Sequence, residues 1–258
     1  MTRKSFAQSA TMLLVIAAIT LAPAAAQDYV REKRWADEIV PAVVVGDPVW
    51  LQQTRGKDPA HRFLALFADS PGAKTAIVLA HGVGVHPDPG LIGSLRLKLN
   101  DAGFSTLAIQ MPVAGAEAKA EDYYPVVFDE AAHRIDVAAR WLQAKGYRQI
   151  VLLSHSMGAW MANEYLINTA ASPYAAWICV GVTGRILSPG SVKLPTLDMY
   201  GENDLESTRR AAPLRRMMKI FMASGSEQVE VPGADHYYAG KENQAAAEIV
   251  KFVRARGL

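Results

Sequence analysis

Apolar residues along this chain fall into two alternating rhythms. From position 76 onward, short runs of mostly apolar residues (76–80, 105–109, 150–153, 176–182, 196–200 and 228–231) alternate with segments whose apolar residues recur every three or four positions. A near-unbroken apolar run of that length suits a parallel strand covered on both faces. The intervening stripes read as helices: Leu91, Leu95 and Leu99, stopped by Gly103; then Phe128, Ala131, Ile135, Ala138 and Leu142, closed at Gly146; then 157–166, 205–223 and 241–256. Ahead of them, 40–45, 49–53 and 63–67 read as three strands separated only by Pro and Gly punctuation. The pattern predicts an α/β fold: a mostly parallel, doubly wound sheet with an antiparallel N-terminal lead-in. The connection 183–193 is too short for a cap domain. The longest irregular stretch, 111–127, carries Pro112, Gly115, Tyr123, Tyr124 and Pro125, and loops of that length tend to be functional or mobile.

The first 26 residues break the rhythm. Arg3 and Lys4 precede an uncharged apolar stretch at 12–21, and Ala24-Ala25-Ala26 offers a small-x-small cleavage site before Gln27. That order is the order of a secretory signal peptide, and the apolar stretch is shorter than the ~20 residues a membrane span requires. The expected organisation is a signal peptide at 1–26, a polar and loosely ordered segment at 27–39, and one domain at 40–258. The expected destination is export, to the periplasm or beyond, with no stable membrane span after cleavage.

Composition narrows the function classes. Of 258 residues, 50% are hydrophobic and 20% charged, enough for one sizeable core. The formal net charge of +2 comes from Arg3 and Lys4; without them 25 basic residues face 25 acidic ones. A neutral chain without a basic run of like charges has no electrostatic footprint for nucleic acid. Cys179 is the single cysteine, so no internal disulfide forms, and its apolar neighbours Trp177, Ile178 and Val180 make it a buried small hydrophobe. Met217, Met218 and Met222, at helical spacing, read as core packing.

The chemistry concentrates at Ser154-His155-Ser156-Met157-Gly158, between an apolar strand and a helix. A serine hydroxyl is a weak nucleophile until a base takes its proton. A sharp strand-to-helix turn lifts such a hydroxyl above the sheet and aims the next backbone N–H at the same spot. Small residues two before and two after the serine let the backbones approach. Gly158 meets that need, and Ser154 stands where glycine is usual. Taking Ser154 as nucleophile instead would leave no glycine two positions on, so Ser156 is the candidate. A helix-capping Ser-His-Ser turn is the bland alternative.

His81-Gly82-Val83-Gly84 directly follows the strand at 76–80, where a second oxyanion donor belongs. The expected donors are the N–H groups of Met157 and Val83, with His81 tying the loop down. The acid and base should follow in the order carboxylate, then histidine. His236 is the only histidine after Ser156, just past the last strand. Asp204, just past the strand at 196–200, is the first choice of acid, ahead of Glu202 and Asp235. Strand-end positions suggest Val85, Met111, Val113, Tyr123, Tyr124 and Val182 as substrate-binding walls, with 111–127 as a partial roof. Their apolar character suggests an uncharged or apolar acyl substrate. His61 precedes a strand, His86 sits in a Pro-rich loop, and His133 and His155 have no ligand-spaced partners; no zinc pattern appears and no metal site is expected.

With these residues in place, positions 40–256 resemble the α/β-hydrolase superfamily: a His-Gly loop, a nucleophile elbow, Gly201-x-x-Asp204 after a late strand, and Asp235-His236 before the last helix. The stretch 81–99, with Pro87, Pro89 and Leu91, and Tyr200-Gly201-Glu202-Asn203-Asp204 look like a small exported bacterial group without an assigned substrate. The resemblance implies cofactor-free acyl transfer through an acyl-enzyme, with no particular substrate, since this fold hosts esterases, thioesterases and peptidases. The expected activity is carboxylic-ester hydrolysis; the alternatives are a peptidase or amidase, and a catalytically silent binding or scaffold protein of the cell envelope.

Overall fold

The computed structural model describes residues 27–54, 60–119 and 126–258. The signal-peptide expectation for 1–26, and Tyr123 and Tyr124, lie outside them. Eight strands form one sheet: β1 (Asp47–Gln53), β2 (His61–Ala68), β3 (Thr75–Ala80), β4 (Ser105–Ile109), β5 (Gln149–His155), β6 (Ala176–Val180), β7 (Thr196–Asn203) and β8 (Glu227–Asp235). Their order across the sheet is β1-β2-β4-β3-β5-β6-β7-β8. The β1/β2 and β2/β4 pairs are antiparallel and the remaining pairs parallel.

Among the described residues six helices cover the sheet: α1 (Tyr29–Ile39), α2 (Gly90–Asp101), α3 (Phe128–Ala144), α4 (Met157–Asn168), α5 (Glu206–Met218) and α6 (Glu242–Arg254). Alternate residues of each central strand serve opposite layers. In β3, Ala76, Val78 and Ala80 pack under α3 and α4, whereas Ile77 and Leu79 pack under α1, α2 and α6. All six residues of β3 are buried, which is why the run carries no polar alternation. The β6–β7 connection holds only a 3₁₀ turn, Pro189–Ser191, so no cap stands between them.

The N-terminal region departs from expectation twice. Residues 27–39 are not loosely ordered, because Tyr29–Ile39 is a helix. The Asp28 side chain accepts a hydrogen bond from the Arg31 N–H as N-cap, and Ala36 and Ile39 face the core. Glu32, 3% exposed, meets the Arg134 guanidinium at 2.8 Å, and Arg134 also pairs with Glu130 on α3. The helix is therefore held by an ion network whose other half lies a hundred residues away. Nor is 40–45 a strand: Val40–Ala42 is a 3₁₀ turn with Pro41 inside it, where the missing proline N–H costs nothing. Val44 and Val45 are exposed.

Candidate active site

Ser156 sits between β5 and α4 with φ 57° and ψ −123°. A non-glycine residue at positive φ is uncommon and costs about 1–3 kcal/mol unless its surroundings impose it. Here they do. The Ser156 N–H donates to the Val180 carbonyl at 2.9 Å, and α4 begins immediately at Met157, against the end of β3. A Cβ on Gly158 would lie 2.5 Å from the His81 carbonyl oxygen, and one on Gly82 would lie 3.0 Å from Ser156 Cβ. Glycine at both positions lets the β3–α2 loop press on the turn. Met157, first residue of α4, has an N–H with no intrahelical acceptor, and Val83 follows Gly82 directly.

His236 arrives from the end of β8. Its Nε2 lies 2.9 Å from Ser156 Oγ and its Nδ1 2.7 Å from Asp204 Oδ1. These contacts suit a neutral imidazole that donates from Nδ1 to the carboxylate and accepts the serine proton at Nε2. Asp204, 3% exposed, also accepts from the Leu205 N–H at 2.7 Å and the Gly201 N–H at 3.3 Å. Burial alone would raise its carboxyl; the hydrogen bond and proximity of His236, with those two N–H groups, outweigh it and hold the carboxyl below its ordinary 3.8. The competing carboxylates point elsewhere. Glu202 accepts from the Gly233 N–H, and Asp235 from the Tyr237 and Ala239 N–H groups.

Three residues that sequence reasoning passed over support His236. A Cβ on Gly181 (φ +60°) would lie 3.2 Å from His236 Nδ1 and 3.4 Å from Asp204 Oδ2. His155 donates from Nε2 to the His236 carbonyl at 2.9 Å, its ring centroid 4.9 Å from that of His236. Burial and the neighbouring His236 lower the His155 pKa to about 4. Tyr237 sets its ring edge-on to His236 at 5.2 Å. Adjacency in sequence was the available signal for two of them, Tyr237 next to His236 and His155 next to Ser156; Gly181 offered none. Ser154, in the usual glycine position, is fully buried, and its Oγ accepts from Trp177 Nε1 at 2.8 Å. His81 anchors its loop: Nδ1–H donates to the Gly82 carbonyl at 2.8 Å, and Nε2 accepts from the Met111 N–H at 2.9 Å. Burial lowers its pKa to about 3.

A small cleft of about 60 Å³ opens beside Ser156, walled by Val83, Val85, Pro89, Leu91, Ile92 and Tyr237 among others. Of the expected wall residues that are described, only Val85 reaches it. Met111, Val113 and Val182 are each 1% exposed. Met111 and Val182 fill the α3/α4 layer, and Val113 turns toward the N-terminal segment, its carbonyl accepting from the Asp28 N–H. The described start of the expected roof is thus packed under α1. The cluster Glu32, His61 and Glu130 has metal-ligand spacing, but Arg134 already occupies both carboxylates.

Solved structures share this architecture. XC6422 from Xanthomonas campestris, described as an α/β serine hydrolase without a lid, matches with a TM-score of 0.64 at 15% identity, over 83% of this chain and 95% of that one. The chain has the α/β-hydrolase fold. A dienelactone hydrolase from Anabaena variabilis superposes on the hydrolase fold with a TM-score of 0.62 at 18% identity, covering 81% of this chain and 97% of that one. Est1E from Butyrivibrio proteoclasticus gives 0.61 at 14%, covering 81% and 98%. In sequence, the chain is 31% identical over 160 residues to Protein ABHD14A of Danio rerio. That match covers 59% of this chain and spans only 57% of the relative's length. No family model matches.

Proposed function

We propose that this chain is a serine hydrolase that cleaves a carboxylic ester through an acyl-enzyme at Ser156. One observation carries the reading: the unbroken hydrogen-bonded line from Ser156 Oγ through His236 to Asp204, at 2.9 and 2.7 Å. Asp204 holds the imidazole in the Nδ1–H tautomer. His236 Nε2 takes the Ser156 proton as Oγ bonds to the ester carbonyl carbon. The resulting oxyanion is met by the N–H groups of Met157 and Val83. The carbon–oxygen bond to the alcohol then breaks, and the alcohol leaves with the proton from Nε2. A water molecule, deprotonated by His236, attacks the acyl carbon; the acid departs and Ser156 recovers its proton. These steps call on no metal or cofactor.

The small, apolar-walled cleft favours a compact, uncharged acyl group. Hydrolase and esterase names among the similar structures agree with the reading. We further read the chain as exported, from its first 26 residues, within the bacterial group it resembles; N-terminal sequencing of secreted material should begin at Gln27. The decisive experiment measures short-chain aryl ester turnover beside Ser156→Ala and follows labelling by a serine-directed phosphonate. Turnover lost in the variant, with label on Ser156, is expected. Equal rates for both proteins, or a folded wild type that takes no label, would return the chain to the scaffold class.

A further inference from the structure

The end of α5 carries a surface that neither the fold nor the site uses. Leu214, Met217, Ile220 and Phe221 are 46%, 70%, 81% and 63% exposed, within α5 and the 3₁₀ turn Lys219–Phe221 that continues it. The sequence pattern had assigned the methionines here to the core. Of the three, Met222 alone packs against it among the described residues. Between Ser207 and Ser226 stand five cations (Arg209, Arg210, Arg215, Arg216 and Lys219) and no acidic residue. Arg209 and Arg210 belong to the first turns of α5, on the Asp204 carbonyl and on Glu206. Arg215 is spent internally on Asp198 at 2.8 Å, whereas Arg216, which donates to the Gln228 side chain, and Lys219 are exposed and interleaved with the apolar side chains. Lys193 adds another cation alongside: its ammonium donates to the Gly190 carbonyl, and Gly190 lies against Phe221.

We propose that this face docks the protein on an anionic lipid surface. Apolar side chains that can enter the headgroup boundary, ringed by cations of one sign, are the composition of an interfacial helix. A second copy fits poorly, since a two-fold contact would oppose like charges around the same centre. Nucleic acid would use the cations and leave Ile220 and Phe221 in water. The placement also orients the molecule. The Ser226 hydroxyl oxygen accepts from the Thr196 N–H at the start of β7, so the segment borders the N-terminal edge of the sheet. Ser156 and Asp204 lie past the opposite ends of their strands. The docked protein therefore turns its cleft toward water and takes substrate from solution. The inference stands whether or not Ser156 turns over an ester.

The test is sedimentation of the full chain with vesicles of phosphatidylcholine, with and without phosphatidylglycerol. Wild type should partition about tenfold or more in favour of the anionic vesicles, with added salt erasing the preference. Ile220→Ser with Phe221→Ser should lower binding about tenfold, and Arg216→Glu with Lys219→Glu should abolish the anionic preference. Anything contributed by residues 1–26 is common to all variants. Because the altered side chains are exposed, unfolding midpoints should match wild type. If a variant does not fold, an environment-sensitive label at Ser224→Cys in otherwise wild-type protein replaces it, Cys179 being buried. The label should shift to the blue on anionic vesicles, and one at Asn203→Cys should not. Equal binding to both lipids, undiminished binding by the serine variant, or a labelled Ser224→Cys blind to vesicles would overturn the proposal. So would a soluble dimer dispersed by the serine variant, which would make the face an interface between copies.

Discussion

Ser154→Gly restores the residue usual in a nucleophile elbow, and the structure says it should weaken the protein. Ser154 lies within β5, fully buried, with its oxygen 2.8 Å from the indole nitrogen of Trp177. Trp177 is itself fully buried, the largest such side chain among the described residues. Removing the hydroxyl strands a donor that no water reaches, at about 1–3 kcal/mol. Glycine in a strand adds about 0.5–1 kcal/mol of backbone entropy. Together these predict a loss of about 1.5–4 kcal/mol. Equilibrium unfolding in urea should show it as a lower midpoint at unchanged slope. Adding Trp177→Phe removes the stranded donor, so the double variant should be less destabilised than the sum of the singles by about 1–2 kcal/mol. A Ser154→Gly protein within about 0.5 kcal/mol of wild type, or a strictly additive pair, would refute the argument that this serine is retained for Trp177.

Gly181→Ala places a methyl 3.2 Å from His236 Nδ1 at a φ of +60°; ester turnover should fall on the order of a hundredfold by displacement of the imidazole, while phosphonate labelling slows in parallel. Acidification should destabilise the fold. His81 and His155 are buried, with pKa values lowered from 6.5 to about 3 and about 4, so below about pH 6.5 the unfolded chain binds protons that the folded one refuses. Their contribution is complete above pH 6.5 and shrinks as the pH falls toward the folded values. Between pH 7 and pH 5 the pair should cost about 3–4 kcal/mol, read from unfolding midpoints, with His155→Phe flattening part of the slope. A stability that rises on acidification through this range would contradict the burial of both rings.

What was legible in the sequence follows from how local each determinant is. The parallel strands could be read because a strand covered on both faces is apolar at every position, as β3 is, and Gly103 and Gly146 punctuate the helices between. The elbow could be read because its demands fall within five residues. The same reasoning failed where a neighbour distant in sequence decides. Glu32 looks like surface until Arg134 supplies its counter-charge, so α1 passed for loose chain. Met217 keeps helical spacing, but spacing marks a face without saying whether anything covers it. Met111 and Val113 were placed correctly along their chain direction and wrongly around it: a strand end gives height above the sheet, whereas the packing of α1 and His81 decides which way each residue turns. Ser154 shows both halves at once. Its position in the elbow asks only for a small side chain; the choice of serine over glycine answers to an indole in the next strand, 23 residues later. Local pattern thus specifies where the backbone bends, and the groups that hold Ser156, His236 and Asp204 in register are selected by space that exists only after β6, β7 and β8 have closed around them.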